Sequence, residues 1–250
     1  MRPYYEADGV TLYLGDCRDV IASLPAGSVD ALITDPPYSS GGMMRGDRTV
    51  ATSAKYVSNE CRAAAPEFEG DTRDQRGFLA WCSLWLADVW RVAADGAIAV
   101  QFTDWRQLPT STDALQAGGW VWRGIIPWDK TEGARPTLGG FRNQCEYAIW
   151  GSKGAIQPER NPVALPGYLR QSTDRNKIHI AQKPIEVMGW LVRACPPGGL
   201  VLDPFAGSGR TLVAARNEGR RAIGVELLES NCALIADALS QRVLPLGGVA

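Results

Sequence analysis

Histidine occurs once in this chain, at position 179, and none of the six cysteines (17, 61, 82, 145, 195, 232) belongs to a C-x-x-C pair. A structural zinc site needs closely spaced Cys and His ligands, and a disulfide framework needs an oxidising compartment, so neither is supported. A reducing cytosol is the simplest setting, and a cytoplasmic protein without metal is expected. Long apolar runs are also missing: nothing approaches the ~20 residues of a membrane span, and the opening MRPYYEADGV lacks an apolar signal core. No membrane partner is expected. Charge of one sign is absent overall, with 26 Lys and Arg against 27 Asp and Glu. That excludes a generally basic nucleic-acid coat but leaves room for a local patch. The phosphate-binding pattern G-x-x-x-x-G-K-[ST] does not occur, and no internal repeat or low-complexity tract is evident.

What is present fits one sizeable α/β domain over residues 1–250, with 45% hydrophobic and 21% charged residues in 250. Short apolar runs recur at Val10 to Leu14, Asp30 to Thr34, Ala97 to Phe102, Val121 to Trp128, Glu146 to Trp150, Leu200 to Asp203 and Ala222 to Glu226. Seven such runs predict one mixed sheet. No helical stretch separates VWRGIIPW from CEYAIW, so these two predict an antiparallel end to it. Between the second and third runs, Phe78, Trp81, Cys82, Trp85, Leu86, Val89, Trp90 and Val92 fall near helical spacing over Arg76 to Ala93. The tryptophans there read as core rather than as base-stacking groups, because a helix crossing a sheet needs such a face. Residues 39 to 76 and 151 to 181 resist assignment, and connections this long are usually functional or mobile.

The clearest strand–turn–helix signature is PPGGLVLDPFAGSGRTLVAA, residues 196 to 215. A strand ends at Asp203, a glycine-containing loop turns the chain, and a helix opens near Thr211. Gly207 and Gly209 would let backbone pass close to a ligand at the helix N-terminus. Leu212 stands where G-x-G-x-x-G has its third glycine, which argues against a dinucleotide. The next strand ends in Glu226, 23 residues after Asp203, where a carboxylate can accept both hydroxyls of a ribose. The pair predicts a nucleoside ligand without pyrophosphate; a capping turn and a solvated acid are the plainer alternative. Far upstream, TDPPYSS follows the apolar run that ends at Thr34. Two prolines forbid continuation of that strand, so Asp35 is either a turn residue or part of a site.

With both motifs in view, the chain resembles the S-adenosylmethionine-dependent amino methyltransferases of DNA, which methylate N6 of adenine or N4 of cytosine. DPFAGSGRT is similar to the family's cofactor loop and Asp35-Pro36-Pro37-Tyr38 to its catalytic loop, in the circularly permuted β-type order, with the catalytic motif about 170 residues ahead. The resemblance spans about 200 residues, and DPPYSSGG with FTDWRQLP is closer still to small phage- or prophage-type adenine methylases. It implies a Rossmann-like methyltransferase fold and S-adenosylmethionine as cofactor. It also implies cofactor roles for Asp35, Asp203, Phe205, Ala206, Gly207, Ser208, Gly209, Thr211, Glu226 and Leu227. Gly15-Asp16-Cys17 resembles the adenine-binding turn of that cofactor, Asp16 accepting from the amino group and the Cys17 N–H donating to the ring; an ordinary helix cap is the other reading of Asp16. Gln182-Lys183-Pro184 resembles the start of the helix over the methionine part, with Lys183 on the cofactor carboxylate or capping the helix. His179 reads as structural or DNA-facing. Trp128-Asp129-Lys130 and FRNQCEYAIW resemble the family's two strands beside the target base.

The chemistry asked of Asp35 follows from the amine. An exocyclic amine shares its lone pair with the ring, and acceptors for its two hydrogens localise that pair and aim it. Asp35 and the Pro36 carbonyl supply two acceptors, Pro37 stiffens the loop, and Tyr38 would stack on a base flipped out of duplex DNA. No thiolate nucleophile is needed. Asp at the first motif position favours adenine N6, since N4-cytosine members commonly begin with Ser or Thr; N4 of cytosine, an RNA base, or a catalytically silent DNA-binding module are the alternatives. Methylases acting on protein glutamine carry Asn there and place the motif downstream of the cofactor loop. Between Lys130 and Lys183 nine cations face four acids, so Arg135, Arg142, Arg160, Arg170 and Arg175 are candidate DNA contacts. Residues 151 to 178 stand where β-type enzymes place target recognition. So small an element leaves specificity modest or dependent on a homodimer.

Overall fold

The computed structural model describes residues 1–39, 73–133, 138–173 and 182–241. Among them a nine-stranded sheet runs in the order β1-β2-β9-β8-β3-β4-β6-β5-β7. Its central strands are β2 (Val10–Leu14), β9 (Arg221–Glu226), β8 (Leu200–Asp203), β3 (Val29–Thr34) and β4 (Ala93–Thr103), all mutually parallel. β5 (Val121–Asp129) and β6 (Cys145–Ser152) form the antiparallel end, with Trp128 opposite Glu146.

The seven expected strands are present, and two short ones were not anticipated. β1 (Tyr5–Ala7) folds back on β2 through Asp8-Gly9, both at positive φ, +50° and +77°. Asp-Gly is the preferred pair for such a hairpin turn, so the signal was there, but three residues without an apolar run do not announce a strand. β7 (Leu169–Arg170) only pairs with Trp128 and Asp129 at the edge.

Alternation within the strands divides the core. Ala31 and Ile33 of β3 face one layer and Leu32 the other, and Val29 joins Leu32 because the pairing register shifts between Val29 and Ala31. The first layer is covered by α4 (Ile185–Val192), α5 (Arg210–Asn217) and α6 (Glu229–Ser240) through Met188, Leu212 and Ile235. The second is covered by α1 (Cys17–Ser23), α2 (Gln75–Val92) and α3 (Leu108–Ala117). The helical spacing read from the sequence is realised in α2: Phe78, Cys82, Trp85, Leu86, Val89 and Val92 are buried, and Asp74 caps the first turn by accepting from the Gly77 N–H at 2.7 Å. Trp85 is core as expected, whereas Trp81 is half-buried and reaches the site described next, and Trp90 is exposed beneath Lys153. The carboxyl ends of β2, β9, β8, β3 and β4 all open on one side of the sheet, the crevice where open α/β sheets bind ligands.

Candidate active site

At that crevice lies a cleft of about 770 Å³. Two stretches far apart in sequence meet there because β3 and β8 are neighbours: Thr34 Oγ1 donates to Asp203 Oδ1 at 2.7 Å across 169 positions. The Asp203 carboxyl is 2% exposed and also accepts from the Phe205 N–H at 3.1 Å. Burial pushes it up to about 6, against the opposing pull of hydrogen bonds from Thr211, Thr34 and the Phe205 N–H.

The loop from Asp203 to Gly209 is wound tightly, with the Ala206 N–H donating to Val225 O at 2.8 Å. Its two glycines have different reasons. Gly209 has φ +74° and a Cβ there would lie 2.9 Å from Ile235, so close packing on α6 requires it. Gly207, at φ +51°, has nothing nearer than the Phe205 carbonyl at 3.8 Å, and its N–H donates to Glu226 Oε2 at 2.8 Å. Glu226 Oε1 accepts from the Leu228 N–H at 2.9 Å and from Asn231 Nδ2 at 3.3 Å. Burial raises the Glu226 carboxyl, and these donors only partly offset it. Leu227 is exposed at the rim, Ser208 and Thr211 line the wall, and Phe205 packs against Trp81 at 5.3 Å between ring centroids.

On the other side, β2 pairs with β9 so that Leu14 lies opposite Glu226. This brings Gly15, Asp16 and Cys17 into the cleft. Asp16 Oδ1 caps α1 by accepting from the Arg18 N–H at 2.8 Å; its side chain is exposed and lines the cleft as well. The Cys17 thiol is buried and pushed up to about 12, chiefly by desolvation, which leaves its backbone N–H at the helix start as the group able to act.

Asp35 to Tyr38 leave β3 along the cleft floor, and each oxygen of Asp35 already has an internal donor. The Tyr38 hydroxyl donates to Oδ1, and Lys183 Nζ lies 2.6 Å from Oδ2. Burial and the Asp35 charge both raise the Tyr38 phenol. Lys183, 7% exposed, also lies 3.4 Å from Glu146 Oε2. Burial would lower its ammonium, but Asp35 and Glu146 more than reverse this and hold it above its ordinary value. The Glu146 carboxyl is held low: burial acts against that, and Lys183 and Lys130 overcome it. Lys183 makes no cap; Pro184 begins α4 without a side-chain bond. The loop leaves through Ser39, a buried residue at φ +50° whose carbonyl accepts from Gln107 Nε2 at 3.0 Å.

Glu146, Lys130, Gln107 and Asn231 were not picked out from the sequence. Glu146 had a signal, an acid inside the apolar strand CEYAIW; Lys130 and Gln107 lay within Trp128-Asp129-Lys130 and FTDWRQLP without a role of their own, and Asn231 had no signal. The proposed DNA contacts divide. Arg170 brackets Glu132 through Nη2 at 2.6 and 2.5 Å and is half exposed, while Arg142 donates to the Glu132 carbonyl. Arg160 is placed elsewhere: it pairs with Asp30 and donates to Asp95 O at 2.8 Å. Asp30 stands near the opposite end of β3 from Asp35, roughly 16 Å away at strand rise. Arg135, Arg175 and His179 lie outside the described residues, as do most of 39–76 and the end of 151–178.

The cleft is lined by Asp16, Asp35, Asp203 and Glu226, a set suited to ribose hydroxyls and a sulfonium cation. Asn231 Oδ1 beside Glu226 is buried and has no partner among the described residues, an acceptor open to a ligand. A parallel sheet with such a loop at its carboxyl edge defines the Rossmann-like methyltransferase class. Residues 29–237 match the DNA methylase family of N6/N4 type. The chain therefore belongs to that family, the S-adenosylmethionine-dependent amino methyltransferases of DNA. It is 33% identical over 216 residues to YubD of Escherichia coli (strain K12), whose name describes it as a methylase, covering 86% of this chain and 83% of YubD. Among solved structures it is similar to the PvuII DNA methyltransferase, cytosine-N4-specific, with a TM-score of 0.73 and 17% identity over 97% of this chain and 90% of that one. It is also similar to M1.HpyAVI in complex with S-adenosylmethionine, at a TM-score of 0.64 and 23% identity over 92% and 99% of the two chains. At these identities the two structures carry the fold alone.

Proposed function

We propose that this protein transfers a methyl group from S-adenosylmethionine to the exocyclic N6 of adenine in duplex DNA, directly and onto a flipped-out base. The observation that carries this reading is the bond between Thr34 and Asp203, which sets Asp35 beside the cofactor loop. Bound in the cleft, S-adenosylmethionine supplies an electrophilic methyl group on a sulfonium. Glu226 and Asp16 would accept from its ribose and amino groups, the Cys17 N–H would donate to its ring, and the loop from Asp203 to Thr211 would hold it.

Asp35 and the Pro36 carbonyl take the two amine hydrogens, which localises the nitrogen lone pair and points it at the methyl group. Pro36 and Pro37 have no N–H to compete for those acceptors. Tyr38 offers a ring on one side of the base and Trp105, 52% exposed at the mouth of the cleft, offers another. Stacking of this kind offsets the few kcal/mol of unstacking that flipping costs. Asp at the first motif position is the support for adenine; the likeness to a cytosine-N4 enzyme, at 17% identity, does not bear on the base.

The deciding measurement is incubation of the protein with unmethylated DNA and isotopically labelled S-adenosylmethionine, followed by identification of the modified nucleoside. N6-methyladenine is the expected product. N4-methylcytosine would overturn the base assignment, and absence of labelled nucleoside would overturn transfer itself.

A further inference from the structure

Four side chains of alternating charge run away from the catalytic loop, each from a different segment of the chain. Asp35 follows β3, Lys183 precedes α4, Glu146 sits in β6 and Lys130 follows β5. The contacts are Asp35 Oδ2 to Lys183 Nζ at 2.6 Å, Lys183 Nζ to Glu146 Oε2 at 3.4 Å, and Glu146 Oε1 to Lys130 Nζ at 3.1 Å. Lys183 Nζ also lies 3.1 Å from the Tyr38 hydroxyl and 4.9 Å from the centre of the Phe102 ring.

We propose that Lys183 and Glu146 are positioning residues that fix the Asp35 carboxylate for the amine of the target base. The inference rests on the methyltransferase reading above and deepens it. A carboxylate on a free side chain turns about two torsions, and a small misplacement of an acceptor costs heavily in rate. Here Lys183 holds one oxygen and the Tyr38 hydroxyl holds the other, which fixes both torsions. Each carboxylate oxygen has two lone-pair directions, so a site for an amine hydrogen remains open on the group so held.

Glu146 has the complementary task. A buried ammonium deprived of its counter-charge is costly. With Glu146 on its far side, Lys183 stays in place when a base amine begins to draw on Asp35. The Phe102 ring, 4.9 Å from the ammonium, offers it an attractive π face. Neither residue touches the reacting atoms; both act through Asp35.

The test is single-turnover methyl transfer at saturating DNA and labelled S-adenosylmethionine, with donor affinity measured separately by calorimetry. Lys183→Met is expected to slow transfer about 100-fold or more while donor Kd changes by less than about threefold. Glu146→Gln is expected to slow transfer about tenfold, and Lys183→Arg to recover part of the loss, since charge without the same reach restores some of the constraint. Weakened donor binding with a normal saturated rate in Lys183→Met would overturn the inference and make Lys183 a cofactor contact instead. Unchanged rates in both variants would overturn it as well. Should Lys183→Met lose its cooperative unfolding transition, Glu146→Gln decides, and a wild-type rate in that variant counts against the inference. No transfer by the unaltered protein removes the methyltransferase reading and this inference with it; transfer by the unaltered protein and Lys183→Met alike removes only the inference.

Discussion

Asp35 and Asp203 lie close in space yet do different work, and their surroundings say which. Asp35 offers its oxygens to hydroxyl, ammonium and cleft, so its replacement should remove chemistry and spare binding. Asp35→Ala is expected to abolish labelling of DNA while donor affinity, read by calorimetry, stays within about tenfold; an undiminished yield of N6-methyladenine would sink the proposed role. Asp203 is buried, and its folded value of about 6 exceeds that of an exposed carboxyl. A carboxyl raised on folding stabilises the protein below its unfolded value, near 3.8, and that contribution is lost as pH rises towards 6. Asp203→Asn keeps an oxygen for Thr34 and the Phe205 N–H but carries no charge. Its melting temperature relative to the unaltered protein should therefore rise between pH 4 and pH 6 and then level off. A flat difference in scanning calorimetry across that window would contradict the burial argument.

Elements meet here at points where a single methyl group matters. Gly209 begins α5 in a left-handed conformation with Ile235 of α6 pressed against it. Gly209→Ala should cost at least about 1–2 kcal/mol from backbone alone, with the clash added, and lower the urea midpoint without changing the slope. A Cβ at Gly207 would meet only the Phe205 carbonyl, at an ordinary contact distance of 3.8 Å. Gly207→Ala is expected to cost about 1 kcal/mol or less in stability beyond its own backbone strain, so a large fall in donor affinity there would mark close approach of the cofactor. The two glycines look alike in DPFAGSGRT, and only the neighbouring helix separates them.

For the whole molecule, the basic stretch between Lys130 and Lys183 is far less free than its composition suggests. Lys130, Lys153, Arg160, Arg170 and Lys183 all have carboxylate partners. Arg160 braces Asp30, which also accepts from the Leu200 N–H at 2.8 Å, at the end of the sheet away from the cleft. Arg160→Ala should therefore leave DNA affinity within about twofold at fixed salt and lower the melting temperature, because Asp30 keeps its charge and loses a partner. A marked loss of DNA affinity in a salt titration would return Arg160 to the DNA-binding face. Of the candidate DNA contacts that are described, Arg170 and Arg142 stand beside Glu132 and are partly exposed.

The sequence alone determined seven of the nine strands, the apolar face of α2 apart from Trp81 and Trp90, and the two loops, because alternation, helical spacing and Asp-Pro or glycine punctuation are local consequences of backbone geometry. It could not separate Asp16 as cap from Asp16 as cleft residue, and the side chain turns out to cap α1 while lining the cleft. Lys183 was legible only as part of a Gln-Lys-Pro helix start; its place between Asp35 and Glu146 depends on three strands and a helix converging. Likewise, nothing near Arg160 in the chain told which end of the sheet it would reach. The resemblance assigned Gly15-Asp16-Cys17 to the cofactor's adenine, but pairing of β2 with β9 was needed to bring residues more than 200 positions apart into register. Local pattern decides which segments become strands and helices. Ion pairs, buried charges and the sharing of one cleft by five strand ends are long-range, and only the packed sheet decides them.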